Sequence, residues 1–265
     1  MVSKFQPHII PVYPPHNELI FEEWFAENYK GCNTDRELLP FFPTSYWVNN
    51  NYAQDAIAKQ DAQDYIDSLP NDKKWFVICQ YDDGVIIDWK GKDVLEFNMS
   101  KNIGVQLPLL CQPHPYKFTT EKWLLYSFVG SNTHPIRETM RDVPQSGGAM
   151  MFDRYPIEKY CEYLSDSIFG LCPRGYGLNS FRIAECVQYG AIPVYISDEF
   201  IIPTWMDFES FGVLVNDASK WYDIICSITP EEILYKQKNL SEAYEKFYTY
   251  EANLNHIIKY LENEQ

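Results

Sequence analysis

Residues 167–198 read Ser-Ile-Phe-Gly-Leu-Cys-Pro-Arg-Gly-Tyr-Gly-Leu-Asn-Ser-Phe-Arg-Ile-Ala-Glu-Cys-Val-Gln-Tyr-Gly-Ala-Ile-Pro-Val-Tyr-Ile-Ser-Asp. They predict one parallel βαβ unit. Residues 168–172 are a short apolar run, as a strand buried on both faces requires. Pro173-Arg174-Gly175-Tyr176-Gly177 is a turn, in which two glycines permit positive φ and close backbone approach. Asn179 or Ser180 is placed to cap the next helix. Ile183 and Val187 form its apolar seam, with Arg182, Glu185 and Tyr189 on another face. Gly190 stands where a left-handed residue ends the helix, and residues 191–196 form the next strand. Ligands of such units bind beyond the carboxyl ends of the strands, where helix N-termini also point. Arg174 offers a fork of donors to phosphate oxygens there. The backbone N–H groups near Ser180 face the same place, and Glu185 is spaced to accept from a ribose. These features select an anionic nucleotide.

The same stretch resembles the donor-binding region of exostosin-like glycosyltransferases (family 47). The likeness runs through Cys172-Pro-Arg-Gly-Tyr-Gly177, Ser180-Phe-Arg182, Glu185, Gly190-Ala-Ile-Pro-Val194 and Ile196-Ser-Asp198. It continues through Ile202-Pro203 and Asp207-Phe-Glu-Ser-Phe211. The resemblance implies an α/β chain of GT-B fold, with two Rossmann-like domains of parallel sheet facing a cleft and C-terminal helices packing across. It also implies a nucleotide-diphosphate sugar as donor, UDP-linked by expectation, and inversion at the anomeric carbon. It is strong over residues 123–217 and weak in the first half. In size the chain is similar to compact exostosin-like proteins of large algal viruses, and that similarity points to UDP-xylose.

Composition sets the outer bounds. The 265 residues suffice for one large domain or two modest ones. With 37 acidic against 22 basic residues the net charge is −15, which disfavours nucleic acid and anionic membranes as partners. An anionic donor must then be met by deliberately placed arginines. Seven cysteines show neither a CxxC pair nor a metal-like cluster, so they read as reduced buried thiols. No signal peptide or bilayer-length apolar run is visible, so the expectation is a soluble, cytoplasmic catalytic core.

Along the chain, residues 8–13 predict a first strand and Asn17 a helix cap, followed by a helix bearing Phe21, Trp24 and Phe25. Residues 45–48 predict a strand, 53–69 a helix, 75–79 a clear strand and 103–110 another. Pro113-His-Pro115 is the linker candidate, separating an acceptor-side domain (1–115) from a nucleotide-sugar domain (120–245). Residues 123–129 predict a strand, followed by a loop and a helix carrying Arg137 and Arg141 with Pro135 in its first turn. Thr229-Pro-Glu-Glu232 is a capping box. A last helix (246–265) carries Leu254, Ile257, Ile258 and Leu261 and packs back on the sheets.

Sugar transfer needs a base for the acceptor hydroxyl, in-line alignment and stabilisation of the departing diphosphate. No Asp-x-Asp metal element occurs, so arginines are the expected clamp and no metal or other cofactor is expected. Arg174 is the first diphosphate candidate. The resemblance adds Arg137, through Phe128-Val-Gly130 followed by arginine, and Arg182, through Ser-x-Arg. Ser180, Gly175 and Tyr176 complete the donor side with Glu185. Arg174 also reads as a turn residue paired with a carboxylate, Arg137 as a solvated helix residue, and Arg182 as an i, i+3 partner of Glu185. Residues 75–84 resemble the family strand that ends in His-Asp-x-Gly. Asp82 falls on its aspartate, making it the candidate base, and Tyr81 replaces the histidine. A turn-forming aspartate is the plainer alternative. His16 and His114, beside predicted loop turns, are further candidates, with ordinary surface-loop histidines the plainer alternative. The expected partners are a nucleotide sugar and a glycan acceptor. A second possibility is a non-catalytic nucleotide-sugar-binding partner of another glycosyltransferase.

Overall fold

The computed structural model describes residues 3–8, 19–118, 121–143 and 145–264. The chain divides into two units, Met1–Gln112 with Thr249–Gln265, and Pro113–Tyr248. Unit 1 runs α1 (Phe21–Asn28), β1 (Arg36–Leu38), α2 (Pro43–Asn49), α3 (Ala56–Ser68), β2 (Lys74–Cys79), β3 (Asp93–Asn98) and β4 (Val105–Gln106). Unit 2 runs β5 (Leu124–Val129), α4 (Pro135–Arg141), β6 (Ala149–Met151), α5 (Ile157–Asp166), β7 (Ser167–Pro173), α6 (Arg182–Gln188), β8 (Ile192–Ile196), β9 (Val213–Val215), α7 (Trp221–Ser227) and α8 (Pro230–Ala243). A π turn, Tyr244–Tyr248, follows, and α9 (Tyr250–Asn263) belongs to unit 1. The fold class is α/β, with one parallel sheet in each unit.

In unit 1 the strands lie in the order β1-β2-β3-β4. Alternate residues of β2 feed opposite layers. Trp75, Val77 and Cys79 join Trp47, Ala62 and Ile66 from α2 and α3 in one core. On the other side Phe76 meets Phe25 of α1 edge-on, and Phe97 of β3 meets Tyr260 of α9. The Tyr250 ring packs on Phe21 and Trp24. Two sequence expectations fail here. Residues 45–48 are helical, not extended, because Pro43 opens α2 and the Glu22 carboxylate, from another element, accepts from the Thr44 N–H at 3.0 Å. Of residues 103–110 only Val105–Gln106 pairs as strand. The predicted strand 8–13 beyond His8, the Asn17 cap and His16 lie outside the described residues.

In unit 2 the order is β6-β5-β7-β8-β9, which reverses between β5 and β7. In doubly wound sheets the crevice at such a reversal, beyond the carboxyl ends, is where ligands bind. The βαβ unit β7-α6-β8 is as the sequence predicts. Gly170 lets α6 lie close on β7, since a Cβ there would stand 2.1 Å from Cys186 Sγ. Gly190 has φ +65°; the Ala191 N–H reaches the Cys186 carbonyl (2.9 Å) and the Gly190 N–H that of Val187 (3.2 Å), a Schellman ending. A Cβ at Gly190 meets nothing closer than 3.9 Å. Gly190→Ala is therefore expected to cost only the backbone term, about 1 kcal/mol, read as a small fall in the denaturation midpoint. A loss of several kcal/mol would show that packing, not φ, selects the glycine.

The capping box at α8 is present, with Thr229 Oγ1 accepting from Glu232 N (3.2 Å) and Glu232 accepting from Thr229 N (2.9 Å). The α6 start differs from expectation. Phe181 occupies the N-cap without a side-chain cap, while Ser180 Oγ accepts from Arg182 N at 3.4 Å.

Candidate active site

Three arginines gather at the reversal between β5 and β7. Arg137, on α4, is buried, and its guanidinium donates to three backbone carbonyls: Ser131 after β5 (2.7 Å), Arg174 (2.9 Å) and Pro173 (3.2 Å) at the end of β7. It thus ties together the two loops that leave the switch point. The helix arginine is not solvated, as the plain alternative had it. Its burial, with the Arg182 charge nearby, pulls its pKa down to about 9. Among the described residues no carboxylate pairs with it. A buried cation held by carbonyl dipoles and by the Phe128 ring, 5.7 Å away, lacks the counter-charge that burial normally demands.

Arg182, the first residue of α6, donates from Nη2 to the Val129 carbonyl at 2.6 Å and lies over the Phe128 ring, 4.7 Å from its centroid. Gly130 makes this possible, because a Cβ there would stand 2.6 Å from Arg182 Nη2. The sequence alternative of an Arg182–Glu185 ion pair is not formed. Burial opposes the charge on Arg182, but Tyr160 and Glu185 outweigh it and hold the pKa above the usual arginine value. Burial, then Glu185, pushes the Tyr160 phenol well above its ordinary range.

Arg174 sits on the β7–α6 turn. Its Nη1 donates to Asp198 at 2.6 Å and its Nη2 to the Tyr176 carbonyl at 3.3 Å. Asp198 is held below the usual carboxylate range, chiefly by that bond. The Nε–H groups of Arg174 and Arg182 are buried without a partner among the described residues. Tyr176 is exposed, and Gly175 is not left-handed as the turn composition predicts. It is small for another reason: a Cβ would stand 3.3 Å from Arg137 Nη2 and 3.4 Å from Thr133 Oγ1.

Glu185 does not stand open to a ribose in this state. Its carboxylate receives the Tyr160 hydroxyl (2.5 Å) and contacts His114 Nε2 (2.8 Å). Both partners are buried, so His114, weighed as a base, is instead part of an internal His-Glu-Tyr network. Sequence reasoning missed His134, the N-cap of α4, whose Nδ1 accepts from Ile136 N at 3.3 Å. Burial, with Arg174 and Arg137 nearby, lowers its pKa, which places a neutral imidazole beside the arginines. Its only signal was a polar loop ending in His-Pro at the carboxyl edge of β5.

Asp82 lies in unit 1, just beyond β2. The Gly84 N–H closes a turn onto the Tyr81 carbonyl (2.9 Å), which is the turn geometry of the plainer alternative. Tyr81 is packed in the core, and its pKa is pushed up to about 12, first by burial. Among the described residues no group of His, Cys, Asp and Glu is arranged to hold a metal, and no helix is long and apolar enough to cross a membrane.

This constellation lies on a chain whose residues 84–220 match the exostosin GT47 domain. More than half of the sequence is matched, and the chain belongs to that family. Among curated relatives it is similar to the probable beta-1,4-xylosyltransferase IRX10L of Arabidopsis thaliana, 40% identical over 86 residues, 31% of this chain and 21% of that protein. It is also similar to the probable glucuronosyltransferase 47 A of Physcomitrium patens (38% over 86 residues, 31% of this chain and 19% of that protein). The Exostosin-1 homolog of Caenorhabditis elegans is 34% identical over 99 residues, 35% of this chain and 26% of that protein. The match therefore spans about a fifth to a quarter of each relative. A solved DNA-modifying beta-glucosyltransferase aligns at TM-score 0.43 and 11% identity over 80% of each chain, too distant to bear on function.

Proposed function

We propose that the chain is a GT-B-type glycosyltransferase that moves a sugar from a nucleotide diphosphate to a hydroxyl of a glycan. The observation that carries this reading is Arg137, a buried guanidinium at the switch point of a parallel sheet that has no carboxylate partner among the described residues. Arg182 and Arg174 stand beside it with unused buried donors. Such a cluster is built for an anion, and a diphosphate leaving group develops its charge during transfer. The arginines take the place of a metal in this scheme. Gly175 keeps the turn close to Arg137, and Ser180 and Tyr176 border the same turn. Glu185 reaches a ribose only by exchanging its present partners.

The donor is proposed to be a UDP-sugar, with UDP-xylose the first to test, since some relatives carry xylosyl- and others glucuronosyltransferase names. Transfer is proposed to invert the anomeric carbon, and Asp82 is the candidate base to test. One observation favours the second reading, a nucleotide-sugar-binding partner of another glycosyltransferase. Tyr81, standing where the family has histidine, is buried and unable to act as a base at neutral pH.

A panel of UDP- and GDP-sugars, scored for thermal stabilisation and for release of free nucleotide, separates the two. A ligand at 100 times its Kd adds roughly 2.7 kcal/mol. Stabilisation with release supports the enzyme. Stabilisation without release, even with glycan acceptors added, supports the binding partner. No stabilisation by any nucleotide or nucleotide sugar overturns both.

A further inference from the structure

Unit 2 carries a pocket that shares no residue with the arginine site. It opens between α8, the π turn Tyr244–Tyr248 and the segment joining β8 to β9, and its volume is about 290 Å³. That is the small end of the range for small-molecule sites. The floor is aromatic. Phe211 is fully buried and stacks 6.0 Å from Phe247, whose ring meets that of Trp205 at 5.3 Å. The rim is polar. Tyr235, Asn239 and Glu242 recur at i, i+4 and i+7, so one face of α8 lines the pocket. The Asn239 amide donates to the Ser210 carbonyl at 2.9 Å, which leaves its oxygen as an acceptor. Tyr235 is 58% exposed. Asp207 completes the rim from the β8–β9 segment. Neither its carboxylate nor that of Glu242 takes a hydrogen bond or an ion pair among the described residues. The π turn supplies Lys246 and Phe247. Such single turns with i→i+5 bonds are rare and recur at functional sites.

We propose that this pocket is a second glycan-binding site, which takes one ring of a neutral oligosaccharide; the choice of a glycan rests on the glycosyltransferase reading. A sugar ring has an apolar C–H face and an edge of hydroxyls, and the pocket matches both. The C–H face covers the aromatic floor. The hydroxyls donate to Asp207, Glu242 and the Asn239 oxygen, and bonds to ionised acceptors are the stronger kind. Other ligand classes fit less well. Two carboxylates against one lysine repel a phosphate or a uronic acid. An acyl chain would cover the rim without offering it a donor. A cationic ligand would seek a ring face, but Lys246 Nζ already lies 5.1 Å from the Phe247 centroid. The site holds a chain and does no chemistry on it.

The test measures direct binding to the full chain and needs no turnover. Xylohexaose, cellohexaose and mannohexaose are titrated in turn while backbone amide shifts are followed by NMR. At least one is expected to bind with a Kd of about 1 mM or tighter, with the largest shifts in residues 205–211 and 235–247. Tyr235→Ala is expected to weaken that binding about fivefold, by removing a ring. Glu242→Ala is expected to weaken it about tenfold, by removing an ionised acceptor. Both side chains are exposed, so both variants are expected to keep the wild-type denaturation midpoint and UDP affinity. Failure of all three sugars to bind overturns the assignment, as do shifts that map outside the pocket. Variants that bind within about twofold of wild type overturn it too, and so does tighter binding of choline or of a uronic-acid hexamer. Sugar binding here by a chain that binds no UDP keeps the site and removes the glycosyltransferase reading. UDP binding with no sugar in the pocket does the reverse.

Discussion

Replacing Arg137 with alanine is expected to abolish stabilisation by UDP and to lower kcat/KM for sugar transfer by a hundredfold or more. The guanidinium holds three carbonyls across two loops and pairs with no carboxylate among the described residues. Its removal takes away a buried cation and also the tie that sets the geometry of the β5 and β7 loops. Loss of one well-aligned donor to a developing negative charge costs about 3–4 kcal/mol in comparable sites, which is the hundredfold or more expected. Arg137→Lys keeps the charge but not the fork, and is expected to recover affinity only in part. Because the buried cation lacks a counter-charge in the free protein, Arg137→Met is expected to unfold no more readily than the wild type while still failing to bind UDP. Isothermal titration with UDP and a denaturation curve on the same samples read both properties. Undiminished UDP binding by Arg137→Ala would remove the observation on which the proposed function stands.

The second large effect is a pH dependence of stability centred on Glu22. Burial raises its carboxyl to about 8, against the pull of bonds from Thr44 and Gln80 and with a further push from Glu23. A raised acid binds its proton more tightly in the folded chain than in the unfolded one. Its stabilising contribution is therefore full below the unfolded value near 4.5, falls as pH rises, and is gone above about 8. The span corresponds to roughly 5 kcal/mol. Glu22→Gln, which mimics the neutral acid, is expected to match the wild type near pH 5 and to exceed it by several kcal/mol near pH 9. Comparing variant with wild type at each pH cancels the other titrating groups. If the three donors around Glu22 dominate instead, the carboxylate is the favoured form and the gap changes sign.

How much of this could be read in the sequence depends on the range of the forces involved. The β7-α6-β8 unit was legible because its strands are apolar throughout and Gly190 marks the helix end locally. Strand β3, Asp-Val-Leu-Glu-Phe-Asn, was not, because half of it is polar and its pairing partners supply the order. Helix α2 read as a strand because Tyr46, Trp47 and Val48 favour extended backbone, while the carboxylate that accepts from its first turn comes from α1. Arg174 and Arg137 were legible as residues, but the convergence of Arg137, Arg182 and His134 follows from strand order, which no local pattern encodes. Glu22 and Glu23 looked like solvated charges at a helix start. Their burial depends on Thr44, Ser45 and Gln80, about 20 to 60 positions away.

The return of α9 to unit 1 has a consequence for biogenesis. Residues 113–248 form an uninterrupted unit, whereas unit 1 is assembled from both ends of the described chain. As the polypeptide leaves the ribosome, the second sheet has all of its strands before the first has its covering helix. The rings of Phe21, Trp24 and Phe97 wait for Tyr250 and Tyr260. Translation thus passes through an interval in which the later-made half is complete and the earlier-made half is still open, and that interval is when a chaperone would find its substrate.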